Sequence, residues 1–261
     1  MGVKTVMMKK AAILCVAWVL ASSLPAWSKN AQPALTLSKG ARVGVVNLLA
    51  PEVTHYHSSG AIQDSFLKTH AVQWPIDAMF MDAVKQRITQ MGLEPVLVAP
   101  SQGLERGRQE FFIDNSINKG LSKPCADEFT QLASANHVDA FIVLAPGLND
   151  SAHAGAGRRR DLPDYLRGWG FITKAQQPAD KPTVFDMTQV LLVSGTGGTA
   201  LLRAREPGGG DYSDTWSSFT APADLKEVPE AELESLKPIF TGLVGRQANR
   251  LFDQVYVVGG P

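Results

Sequence analysis

The run Ala41-Arg42-Val43-Gly44-Val45-Val46-Asn47-Leu48-Leu49, stopped by Ala50-Pro51, constrains this chain more than any other stretch. It is short, almost continuously apolar and rich in β-branched residues. Such a run belongs to a strand buried on both faces of a sheet. The stretches C-terminal to it supply the cover. After Pro75, the residues Ile76, Met79, Phe80, Ala83, Val84, Ile88 and Met91 recur at helical spacing, and Gly92 stands where a left-handed cap belongs. Leu93 to Val98 then gives a second core strand. Strand, helix and strand in this order predict a βαβ unit with parallel strands and a right-handed crossover. A second helix opens at Pro124, with Phe129, Leu132 and Ala133 inward, and leads to a third core strand at Val138 to Leu144.

Around this core the pattern changes. Glu52 to His57 and Phe66 to Trp74, separated by Ser58-Ser59-Gly60, predict a hairpin with one wet face. Val184 to Val193 predicts a fourth strand, turned back by Ser194-Gly195-Thr196-Gly197-Gly198 into Thr199 to Arg205. From Pro229 a final helix is expected to run to about Gln254. Leu233, Leu236, Phe240, Leu243, Val244, Leu251 and Val255 form its stripe, and Pro238 and Gly242 are its candidate kinks. The expected fold is α/β: a mixed sheet with a parallel βαβ core, a C-terminal β-hairpin and a long C-terminal helix packed on the sheet. It occupies residues 41–261 as one domain, after a flexible lead-in at 29–40 that carries Pro and Gly.

Residues 1–28 give the chain an address. Lys4, Lys9 and Lys10 precede an apolar run from Ala11 to Ala21, and Ala26-Trp27-Ser28 is a small-x-small cleavage site. This is the layout of a cleaved signal peptide, and the apolar run falls short of the about 20 residues a membrane span needs. Export to the periplasm is expected, with Lys29 as the new N-terminus. The remainder, Lys29 to Pro261, carries a small acidic excess and no long basic run, so nucleic acid is not an expected partner. It retains one cysteine, Cys125, which cannot form an internal disulfide. Its place after Pro124 suits a small residue filling a helix's first turn better than a reactive thiol, since no resolving cysteine exists.

Three stretches carry candidate chemistry. Residues 148–182 hold Arg158, Arg159, Arg160 and Tyr165, with the glycine-flanked aromatics Trp169 and Phe171. A loop this long is functional or disordered as a rule, and aromatics beside arginines suit contact with an envelope protein or outer-membrane component. The competing reading packs Trp169 and Phe171 against the sheet edge. His55 and His57 share a strand face, and His70 lies on the partner strand, so three imidazoles could gather around zinc or copper. Gly195-Thr196-Gly197-Gly198-Thr199-Ala200 matches G-x-G-x-x-A after a strand, but no helix follows, so a hairpin turn explains it and no cofactor is expected. No G-x-S-x-G, Walker loop, H-E-x-x-H or S-x-x-K occurs, and Asp77, Asp82, Asp114 and Asp127 form no acid–base pair by spacing.

In element order, Val43–Val46, Pro95–Val98, Asp139–Leu144 and Val190–Leu202 resemble bacterial envelope domains of the TolB N-terminal and CsgG-like kind, and uncharacterised exported proteobacterial proteins. The resemblance implies a non-enzymatic role in assembly or interaction at the envelope. The lipid-anchoring cysteine common among CsgG-like proteins has no counterpart here, and no active-site residues carry over. The expectation is a periplasmic protein that binds an envelope partner, with a metal-binding protein or metalloenzyme built on His55, His57 and His70 as the alternative.

Overall fold

The computed structural model describes residues 35–59, 64–104, 121–146, 166, 168–175, 181–195, 213–259 and the backbone of 201–203. Strands β1 (Leu35–Ser38), β2 (Arg42–Asn47), β3 (Glu52–Ser58) and β4 (Phe66–Ala71) precede helix α1 (Ile76–Gln90). Then come β5 (Glu94–Leu97), α2 (Lys123–Asn136), β6 (Ala140–Pro146), β7 (Gly168–Lys174) and β8 (Thr183–Ser194). The chain continues through β9 (Leu201–Arg203), β10 (Ser213–Thr215), α3 (Glu230–Glu234), α4 (Lys237–Phe252) and β11 (Val255–Val258). The main sheet runs β4-β3-β7-β8-β6-β2-β5, with β9 and β10 also on β8, and β1 pairs β11 in a separate two-stranded sheet.

The expected α/β architecture is present. Strand β2 lies parallel to both β5 and β6, as the βαβ pattern requires. Gly92 ends the first connection with φ +76°, a left-handed conformation that glycine adopts without strain. The centre of the sheet is covered on both faces. Phe80, Val84 and Ile88 of α1 and Phe240, Leu243, Val244 and Leu251 of α4 pack on Val43, Val45, Ile142 and Leu192. Cys125, Phe129 and Ala133 of α2 pack on the opposite face, against Val46, Phe141 and Val193. Two-sided cover is why β2 and β6 read as continuous apolar runs rather than as alternating ones. Gly44 in the middle of β2 has a steric reason: a Cβ there would stand 2.5 Å from the Phe141 ring.

Strand β8 organises the sheet. Its first half pairs with β7 and β10, and its second half with β6 and β9, so each half has neighbours on both sides. The handover falls at Asp186 to Thr188. Asp186 Oδ1 accepts from the Thr188 backbone N–H at 2.8 Å and from its hydroxyl at 2.6 Å. Gln247 Nε2 of α4 donates to the other carboxylate oxygen at 2.8 Å, anchoring the helix to the junction. Asp186 is buried, and that burial pushes its carboxyl above the usual range, against the pull of these hydrogen bonds.

Several expectations are corrected. The lead-in is not loose throughout, because Leu35–Ser38 forms β1 against β11. The 148–182 stretch is not one loop, because Gly168–Lys174 is an internal strand between β3 and β8. Strand β5 is an edge, half-exposed, rather than a core strand. The last helix is two. It pauses at Ser235–Leu236, which puts Pro238 in the first turn of α4, where its missing N–H breaks no hydrogen bond. Val255 belongs to β11, not to the helical stripe.

Candidate functional site

The aromatic pair expected to meet a partner lies inside the fold. Trp169 is 2 % exposed and Phe171 is 0 % exposed, both on β7 and both in the main core. Trp169 packs 4.4 Å from Phe240 and 5.1 Å from Trp74, centroid to centroid. Gly170 between them lets β7 approach β3, since a Cβ there would stand 1.8 Å from the Thr54 carbonyl oxygen. These aromatics flank glycine because the backbones are close. The expectation that they form a contact surface is thus replaced by a packing role. Arg158, Arg159, Arg160 and Tyr165 lie outside the described residues, as do positions 1–28 and the glycine turn at 196–200.

The histidines sit on the predicted hairpin, but its histidine face is not wet. In the β3–β4 ladder His55 stands opposite Lys68, His57 opposite Phe66 and Val53 opposite His70. Across β3 on the other side, His55 stands opposite Phe171 and His57 opposite Thr173. Directly opposed residues share a face, so the three imidazoles, Phe66, Phe171 and Thr173 all project the same way. Residues 216–228 cover that face. Trp216 stands edge-on to Phe171 at 5.0 Å, Phe219 packs on Trp216 at 4.5 Å, and Lys226 lies 5.5 Å over the Phe66 ring. Lys68 of β4 pairs with Glu227 at 2.8 Å. His55 and His70 are buried as a result, and His57 is half-buried.

Within the cluster, Thr173 Oγ1 lies 2.8 Å from His55 Nε2 and 2.8 Å from His57 Nδ1. The His55 ring stacks on Phe171 at 4.2 Å and meets Phe66 edge-on at 4.9 Å. His70 lies 5.9 Å from His55, in a plane tilted by 25°. His55 Nδ1 and His70 Nε2 are buried with no hydrogen-bond partner among the protein atoms. Burial pushes His55 down to about 3, with the neighbouring His70, His57 and Lys68 adding to it. Burial lowers His57 as well, and lowers His70 with Lys68 assisting and Glu227 opposing. All three rings are therefore neutral near pH 7. They do not form a three-ligand centre. Among the described residues no group of three or more His, Cys, Asp or Glu is placed to hold a metal ion.

Cys125 is buried in one core cluster with Phe129, and burial pushes its thiol up to about 12, Glu128 contributing, which suits packing rather than thiolate chemistry.

The described surface offers one feature that sequence reasoning passed over. Its exposed large apolar side chains are Leu67, Leu97, Tyr256 and Val258, and each stands on a strand at the end of a sheet. Two of those edges carry ordinary protection: β4 has Lys68, and β5 has Glu94 and Pro95. Strand β11 reads Val-Tyr-Val-Val, with no charge and no proline. Tyr256 is 63 % and Val258 48 % exposed, two residues apart on one strand, while Val255 is buried. The signal was a run of four β-formers after a helix, hidden because Val255 also continues the helical spacing. No family model, curated protein or solved structure matches this chain.

Proposed function

We propose that this chain is a non-enzymatic exported protein that binds a partner at the cell envelope, and that β11 is the edge where the partner docks. The carrying observation is the uncharged, proline-free strand with Tyr256 and Val258 exposed. Natural proteins blunt such edges with charge, proline or cover, because an open row of N–H and C=O groups recruits another strand. The partner this edge fits is an extended segment that adds beside β11. Main-chain hydrogen bonds would hold it, and apolar side chains at alternate positions would meet Tyr256 and Val258. The signal-like stretch from Met1 to Ser28 supports the envelope as the setting. No described helix is long and apolar enough to cross a membrane.

A photoreactive residue at position 256, irradiated in cells and read by mass spectrometry, tests this. The expected result is one dominant envelope protein, with capture lost when Val258→Lys is added. Because both positions are exposed, the stability of the variants should stay within about 0.5 kcal/mol of the parent. Absence of any adduct from a folded, exported protein would reject β11 as the docking edge.

A further inference from the structure

The histidine cluster carries a second, independent reading. Buried polar atoms are nearly always paired, and orphaned N–H donors are rarer than under-used acceptors. That rule favours one placement of the protons here. If His55 Nε2–H donates to Thr173 Oγ1 and the hydroxyl donates on to His57 Nδ1, the two 2.8 Å contacts are satisfied in one chain. The reverse polarity would leave a bare N–H on His55 Nδ1 inside an aromatic pocket. The favoured tautomer instead leaves a bare lone pair there. The two nitrogens of an imidazole face widely different directions. With Nε2 turned to Thr173 on β7, Nδ1 is directed elsewhere, and β4 on the other side of β3 carries His70 with its own unpartnered Nε2. An outer group that accepts the second N–H of an imidazole is the usual support of a metal-ligating histidine.

We propose that His55 Nδ1 and His70 Nε2 form a two-nitrogen site for a soft monovalent cation, copper(I) or its analogue silver(I). With metal–nitrogen bonds of about 2 Å, an ion held between two imidazoles sets the ring centres roughly 6 Å apart. Here they are 5.9 Å apart in nearly parallel planes. The donor count selects the ion. Zinc requires four ligands and hard divalent ions require oxygens. Two neutral nitrogens between aromatic walls suit an ion content with two ligands and a low charge. The Phe66 and Phe171 rings beside His55 offer π faces to it. The charged groups around the pocket, Lys68 and Glu227, form a pair, and Lys226 lies over the outer ring of Phe66.

The test is nitrogen NMR of the histidine side chains during titration of the full chain with silver(I). The expected result is saturation at one equivalent, with His55 Nδ1 and His70 Nε2 moving while His55 Nε2 and the His57 nitrogens keep their Thr173-bonded positions. The readout is atom-specific, so silver taken up by thiols does not register. His70→Leu should weaken this response at least tenfold, and His70→Gln provides a second variant if the first does not fold. Unmoved His55 Nδ1 and His70 Nε2 resonances would overturn the site and leave the pair bridged by buried water. Equal response in the folded His70 variant, or an equal response to zinc, would overturn it too.

Discussion

His55 ties the stability of the fold to acidity. The folded protein resists its protonation down to about pH 3, whereas the unfolded chain takes the proton near 6.5. Stability from this residue is therefore fully present above 6.5 and declines as the pH falls toward 3. The slope is about 1.4 kcal/mol per pH unit for one proton. His57 and His70, also lowered by burial, act in the same direction. Urea titrations at about pH 7.5 and 5 should differ by roughly 2 kcal/mol or more, and His55→Phe should flatten the difference. Equal midpoints at the two values would mean that the ring reaches water. Nothing in the sequence near His55 announces this behaviour. Its burial comes from Trp216, Phe219 and the Lys68–Glu227 pair, whose partners lie far along the chain.

At the scale of elements, the junction in β8 is the point most exposed to a single substitution. Gln247→Leu keeps the volume of α4's contact but removes a donor from the buried Asp186 carboxyl. The cost should be about 1–3 kcal/mol, the penalty of an under-satisfied buried group, measurable by chemical denaturation. A negligible loss would show that the Thr188 contacts alone satisfy Asp186. The elements themselves were unevenly legible. Helix α1, strands β2, β6 and β8, and the cap at Gly92 follow from periodicity and punctuation, which are local properties. Strands β1, β7, β10 and β11 do not, because they are short or Gly-interrupted and take partners far along the chain, β8 beside β7 excepted. Reading β7 as loop also hid Thr173, and with it the way the histidines divide. The histidine hairpin was legible; its burial was not. The exposed edge of β11 was written plainly as Val-Tyr-Val-Val, but helical spacing claimed its first residue.

Across the whole molecule, β1 and β11 form a clasp between segments far apart in sequence. Leu37 and Val255 root it in the main core, and Lys39 N–H adds a bond to the Val258 carbonyl at 2.9 Å. A two-stranded sheet is marginal by itself, so the clasp should open without the rest of the sheet. Hydrogen-exchange mass spectrometry should find residues 36–38 and 255–258 losing protection together, well before β6, and Leu37→Ala should accelerate both segments alike. Independent exchange of the two would contradict the pairing. The direction of the strands has a mechanical consequence. Because β1 and β11 run parallel, a force that draws residue 35 away from residue 258 pulls the strands along their length in opposite senses. Every bond between them is then loaded together, in shear, rather than peeled one at a time. Pulled between those two points, the protein resists in shear at the same seam that thermal motion opens first.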